Sequence, residues 1–130
     1  MKTIFPFLLS ISIIIHSNAQ TIFKDSIAPK LTFTEWINNA QGLSVVKDKP
    51  IVLEFWSTWC GPCVAAIPHF NELTEKHREN ITFISVNSYE TKAIVKAFLL
   101  KNPMSSYVAL DENKKLQKAF NVQVKTAIFK

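Results

Sequence analysis

Cys60 and Cys63 are the chain's only two cysteines, and just two residues separate them in Trp59-Cys60-Gly61-Pro62-Cys63. A pair this close cannot staple distant segments, and closing so short a loop constrains little chain entropy. The spacing suits a dithiol that cycles with its own disulfide. The reactive form of cysteine is the thiolate, and a free thiol has a pKa of about 8.5. Cys60 stands where an apolar strand-like run gives way to a helical segment, so it faces unpaired N–H groups and the positive end of a helix dipole. That end contributes roughly 0.3–1 kcal/mol, up to about 2 when partly buried. One pKa unit corresponds to about 1.4 kcal/mol, so the dipole alone lowers the Cys60 pKa by about a unit. Cys63, one turn further in, is shielded and stays protonated until needed. Cys60 is therefore the nucleophile that forms a mixed disulfide, and Cys63 the thiol that resolves it. Gly61 is read as permitting a tight approach. Pro62 stiffens the turn and lacks an N–H that the first helical turn leaves unpaired anyway.

Cys63 needs a base. Glu54 lies six residues before Cys60, inside the run Ile51-Val52-Leu53-Glu54-Phe55-Trp56. A carboxylate in such a strand is costly unless it is paired, wet or protonated. Either Glu54 reaches water at a strand edge, or burial raises its pKa toward neutrality and fits it to take the Cys63 proton. The second reading accounts for both its setting and its closeness to the cysteines. Zinc is the rival chemistry for the cysteines, but a structural site wants four ligands. Past residue 19 the histidines are His69 and His77, eight residues apart on one putative helix, which makes a closed set strained. Both are read as exposed helix residues, and Trp56 and Trp59 as packing or substrate-facing groups.

The elements that position these residues follow from hydrophobic spacing. Ile51–Trp56 and Ile81–Val86 read as strands buried on both faces. Between them, Val64 to His77 reads as a helix kinked at Pro68, turning Ala65, Ile67, Phe70, Leu73 and Thr74 toward the sheet. Thr91 to Lys101 predicts an amphipathic helix bearing Ile94, Val95, Phe98 and Leu99, closed by Asn102-Pro103. Tyr107–Leu110 reads as a short strand, and Asn113–Phe120 as a short helix with Leu116, Ala119 and Phe120 inward. Val122–Phe129 predicts another strand. Thr34 to Ala40 reads as a helix opened by a capping threonine, with Trp36 as a core anchor and Gly42 near its end. Thr21-Ile22-Phe23 reads as an edge strand. The βαβ alternation between residues 51 and 86 argues for an α/β sandwich.

Composition agrees with one domain. The chain has 130 residues and is 48% hydrophobic, enough to build a core. Its formal charge of +5 comes from lysines and arginines scattered along the sequence, without the clustering that nucleic-acid binding needs. Residues 1–19 read as a secretory signal: Lys2 at the start, a 12-residue apolar stretch from Ile4 to Ile15, and small residues at Ser17 and Ala19 before a cut at Gln20. Twelve apolar residues fall short of the roughly 20 that span a bilayer, which leaves an uncleaved marginal anchor as the alternative. Residues 20–130 then form the domain, outside the cytoplasm.

The stretch Phe55-Trp56-Ser57-Thr58-Trp59-Cys60-Gly61-Pro62-Cys63, with Glu54 before it and Pro68 after it, resembles the thioredoxin-fold thiol–disulfide oxidoreductases. The signal peptide and the extra helix between Val86 and Asp111 resemble their exported TlpA/ResA-type subgroup. The resemblance extends from about Lys49 to Phe129. It implies a three-layer α/β/α sandwich around a mixed sheet, and a disulfide reductase whose redox group is the Cys60–Cys63 pair, with no other cofactor. It also implies exported protein substrates that carry disulfides, cytochrome c maturation among the settings, and a membrane or periplasmic thiol reductant. The reductive direction rests on the resemblance and on the Gly-Pro dipeptide. A non-catalytic binding domain and an oxidase or isomerase are the alternatives.

Two features depart from the family pattern. The family places a cis-proline opposite its cysteines, where it shapes the substrate groove, but no proline follows Pro103 here. The matching position is Thr126, or Lys125 after a one-residue deletion. A cis bond before a non-proline residue costs about 3–4 kcal/mol, so the expectation is a rebuilt loop. The family also continues through a further strand and a C-terminal helix, which predicts an uncovered edge strand and sheet face at the end of this sequence.

Overall fold

The computed structural model describes residues 27–38, 49–122 and 128–129. Among them a five-stranded mixed sheet runs in the order β1-β4-β3-β2-β5. The strands are β1 (Glu35–Trp36), β2 (Ile51–Trp56), β3 (Thr82–Asn87), β4 (Tyr107–Leu110) and β5 (Ile128–Phe129). Helices α1 (Gly61–His77) and α2 (Lys92–Leu99) make the parallel crossovers from β2 to β3 and from β3 to β4. Helix α3 (Lys115–Ala119) lies between β4 and β5 in the chain.

β2 and β3 are rich in β-branched and aromatic residues, and both are buried along nearly their whole length. Side chains alternate across the sheet. Leu53, Phe55, Ile84, Val86 and Ala109 turn to the face covered by Leu116 of α3 and by Val122. Trp56, Val108 and Leu110 turn the other way, onto Ile67 of α1 and Val95 of α2. Val52 and Phe83 meet Phe70 on that same side. Successive right-handed crossovers through β2, β3 and β4 put both connecting helices on one face. α3 covers the other, which completes the three layers expected.

Within α1 the buried stripe is Cys63, Ile67, Phe70 and Thr74. Steps of four, three and four residues hold it to one side of a 3.6-residue helix. Thr74 satisfies its buried hydroxyl by donating to the Phe70 carbonyl at 2.8 Å. The expectation for Ala65 fails: it is exposed, since two residues from Ile67 is about 200° around the helix. The helix continues across Pro68, which faces solvent. On α2, Val95 is buried and Phe98 and Leu99 half-buried, whereas Ile94 is exposed because it stands about 90° off their stripe.

The helix expected from Thr34 does not form at its start: Glu35 and Trp36 are β1, paired antiparallel with Leu110 and Ala109. The outer edge of β4 offers unpaired backbone groups, and this segment satisfies them, with Thr34 N–H donating to the Leu110 carbonyl and Ile37 N–H to that of Val108. Trp36 still serves the core, half-buried and edge-on to Tyr107 at 6.2 Å.

The short helix also starts later than the periodicity predicts. A 3-10 turn spans Glu112–Lys114, with Asn113 and Lys114 both at positive φ, and α3 begins at Lys115. The Asp111 carboxylate accepts from the Leu116 and Gln117 amides, each at 3.0 Å, so the helix is capped from before the turn. Leu116 is buried as expected, but Ala119 faces solvent. β5 pairs antiparallel with β2, Ile128 opposite Glu54 and Phe129 opposite Leu53. The expected signal segment, the Thr21–Phe23 strand, Gly42, Lys125 and Thr126 lie outside the described residues. Among those residues no helix is long and apolar enough to cross a membrane.

Candidate active site

β2 ends at Trp56, buried among α1 and α2 residues with its ring 5.4 Å from that of Phe98. The chain then turns: the Cys60 amide donates to the Ser57 carbonyl at 3.1 Å, and Cys60 becomes the N-cap of α1 with extended backbone. Its own carbonyl accepts from the Val64 amide at 3.0 Å, the first bond of the helix. Pro62 occupies the opening turn, where a missing N–H costs nothing. No acidic residue stands in that turn to oppose a thiolate. The two sulfurs are joined in a disulfide with the Cα atoms 5.2 Å apart. Cys63 is the more deeply buried, at 1% exposure against 8% for Cys60.

Gly61 stands in open space at the start of α1. A Cβ built there meets nothing within 4 Å, and the residue is not in the left-handed region. Among the described residues, none crowds a side chain at this position. Trp59 is 53% exposed and stands edge-on to Tyr89, with ring centroids 5.5 Å apart. His69 is exposed and His77 half-buried on α1. Among the described residues no three His, Cys, Asp or Glu side chains gather as a metal-ligand set.

Glu54 is buried to 2% exposure on the α1 face of the sheet, two residues before Trp56, which packs in the same cluster as both cysteines. The edge-strand reading fails, because β3 pairs with one side of β2 and β5 with the other at this residue. Its carboxylate Oε2 accepts from Ser85 Oγ at 3.0 Å, and Ser85 Oγ lies 2.7 Å from Ser106 Oγ. Desolvation pushes the Glu54 pKa up from 4.5 to about 7, against a smaller lowering by the Ser85 hydrogen bond.

The sequence reading passed over Glu90. Its Oε2 accepts from the Thr58 amide at 2.7 Å and from Asn87 Nδ2 at 2.8 Å, and its Oε1 from Thr58 Oγ1. Asn87 shapes that loop, its Oδ1 accepting from the Tyr89 and Glu90 amides at 3.0 Å each. The β3–α2 loop thus grips the turn that carries Cys60. The available signal was position: an Asn that ends a parallel strand and opens a βα loop stands at the carboxyl edge of the sheet, where α/β folds gather their sites. A cleft of about 530 Å³ opens at that edge, lined by Asn87, Tyr89, Glu90, Lys92, Asp111 and Glu112 among others. Lys114 Nζ sits 4.1 Å over the Tyr89 ring, and Gln117 Nε2 donates to the Tyr89 hydroxyl at 2.8 Å.

A dithiol–disulfide pair capping the first helix of a β-α-β unit, beside a buried carboxyl, defines a thioredoxin-like protein. The chain belongs to the Redoxin family, which it matches over residues 24–128. It is 32% identical over 96 residues to the thiol-disulfide oxidoreductase ResA of Bacillus cereus, covering 73% of this chain and 56% of that protein. It is 25% identical over 126 residues to sporulation thiol-disulfide oxidoreductase A of Bacillus subtilis, covering 94% and 76%. A crystal structure of a putative thiol:disulfide interchange protein DsbE from Chlorobium tepidum superposes with a TM-score of 0.62 at 26% identity, over 67% of this chain and 62% of that one. A putative protein disulfide isomerase from Bacteroides thetaiotaomicron shares the fold, with a TM-score of 0.66 at 23% identity, over 78% and 67%. The chain spans little more than half the length of the ResA proteins it matches.

Proposed function

We propose that this chain is a thiol–disulfide oxidoreductase that reduces disulfides in exported proteins. The observation that carries the reading is the Cys60–Cys63 disulfide at the N-terminus of α1, over a sheet face that buries Glu54. In the reduced protein, Cys60 Sγ as thiolate attacks one sulfur of a substrate disulfide. A mixed disulfide forms and the first substrate thiolate leaves. Cys63 gives its proton to Glu54, and its Sγ attacks Cys60 Sγ, expelling the second substrate thiolate. Two electrons have then moved to the substrate, and the protein holds the Cys60–Cys63 disulfide seen here. A thiol reductant at the membrane or in the periplasm resets it through the reverse exchange.

Several features support this reading. The helix N-terminus favours the Cys60 thiolate over the thiol. A carboxyl with a pKa of about 7 is matched to proton transfer near neutrality. Export is supported by the charged start, apolar stretch and small residues within residues 1–19. Exposed Trp59 beside the disulfide gives an extended substrate segment an aromatic surface to lie on.

The test is reduction of a small disulfide-bonded protein with a dithiol reductant present. Cys60→Ser is expected to lose turnover entirely, and Cys63→Ser to accumulate a covalent adduct whose mass is that of protein plus substrate. A Cys60→Ser variant that keeps the parent rate would overturn the proposal.

A further inference from the structure

Three buried polar side chains line up across the sheet, on β2, on β3 and just before β4. Glu54 on β2 stands opposite Ser85 on β3 in register, and Ser106 immediately precedes β4. Their exposures are 2%, 0% and 1%. An apolar residue would fill either serine position on this face without an unsatisfied hydroxyl, so the pair calls for an account.

With Glu54 ionised, the proton count fixes the hydrogen-bond directions. Ser85 Oγ has one proton, and it goes to Glu54 Oε2 at 3.0 Å. The proton in the 2.7 Å contact between the two serines must then come from Ser106. When Glu54 is protonated the chain can reverse, with the carboxyl donating to Ser85 and Ser85 to Ser106. Ser106 is itself held from both sides. Its carbonyl accepts from Asn38 Nδ2 at 2.9 Å, and the neighbouring Ser105 amide donates to Asn71 Oδ1 of α1 at 2.8 Å.

We infer that Ser85 and Ser106 are positioning residues for the Glu54 carboxyl: their linked hydroxyls hold one of its oxygens and set how readily it takes up and releases a proton. The bearing on turnover rests on the proposed role of Glu54 as acceptor of the Cys63 proton. The Ser85 hydroxyl is the side-chain donor that meets the carboxyl. From α1 the buried side chains are Cys63, Ile67, Phe70 and Thr74, and from β3 and β4 on this face they are Phe83, Asn87, Val108 and Leu110. None of these carries a charge while Cys63 is held in the disulfide. The other buried carboxylate among the described residues, Asp111, is engaged past the end of β4 by Ser88 and the α3 amides. A hydroxyl that donates to a carboxylate stabilises its charged form, so removing it raises the pKa.

The test reads the carboxyl directly. In the oxidised protein, where neither cysteine titrates, the Glu54 side-chain carbon is followed by ¹³C NMR and assigned by its absence in Glu54→Gln. Ser85→Ala is expected to move the Glu54 titration up by about one unit, and Ser106→Ala to move it in the same direction by less. If Glu54 accepts the Cys63 proton, Ser85→Ala also slows resolution of the mixed disulfide about fivefold at pH 7 and hardly at pH 9, where the carboxyl is ionised in both proteins. A Glu54 titration unmoved in both serine variants overturns the inference. A moved titration with unaltered resolution kinetics upholds the hydroxyl chain and removes Glu54 from the reaction, so the two ideas fail separately.

Discussion

Glu54 holds a carboxyl where the sheet offers it one hydroxyl and the helix above offers apolar cover, and its titration is a property of that burial. The consequence for stability has a definite sign. A carboxyl whose pKa rises from 4.5 unfolded to about 7 folded binds its proton more tightly in the folded state. Its contribution to stability is complete below pH 4.5 and is lost as pH rises through 7. At about 1.4 kcal/mol per unit, the loss amounts to at most roughly 3–4 kcal/mol. Glu54→Gln, uncharged throughout, is therefore expected to gain on the parent between pH 5 and pH 8 in denaturant unfolding of the oxidised proteins. Parallel stability curves for the two would remove the buried-carboxyl account. Gly61 makes a contrasting case at the same scale. With space around its missing Cβ and an ordinary backbone, Gly61→Ala is expected to fold as the parent does. It should be more stable by up to about 1 kcal/mol through helix propensity, seen as a raised unfolding midpoint.

Two elements meet at the redox turn. The turn between β2 and α1 carries the cysteines, while the β3–α2 loop supplies Glu90, which accepts both the amide and the hydroxyl of Thr58. Hydrogen bonds to a charged group contribute roughly 1.5–3 kcal/mol, and Glu90 is only half-buried, so the low end applies. Glu90→Ala is expected to leave the fold intact and to raise hydrogen exchange at the Thr58 amide about tenfold. Unchanged protection there would mean that the turn holds itself. The pairing of β1 with β4 carries a related lesson. Residues 33–37 have apolar spacing that serves a helix or a strand, and the vacant edge of β4 decides for the strand.

At the scale of the molecule, the sheet separates two apolar layers with different duties. The layer under α1 and α2 encloses the cysteines and Glu54, while the layer under α3 contains Leu116 at 1% exposure among Leu53, Phe55, Ile84 and Val86. Leu116→Ala is expected to cost roughly 2–5 kcal/mol in global unfolding while leaving the Cys60–Cys63 reduction potential unaltered. A potential that moved with it would show that the two faces are coupled through the sheet.

The sequence by itself determined where the cysteine pair and the buried acid stand, and the central β-α-β-α-β path. A cysteine pair at a strand-to-helix junction, an acid inside an apolar strand, and periods of two and 3.6 are all local signals, and local signals survive without coordinates. Tertiary structure decided what depends on residues far apart in the chain. It put β1 where a helix was expected, because the edge of β4 needed a partner. It turned Ala65 and Ile94 outward, because helix phase is set by the surface the helix meets. Ser85 came under Glu54 from 31 positions away, and Glu90 reached Thr58 across 32. Those contacts join the Ser85 hydroxyl to the buried carboxyl and brace the turn before Cys60, and no spacing along the chain encodes them, because strand register is fixed only when the sheet assembles.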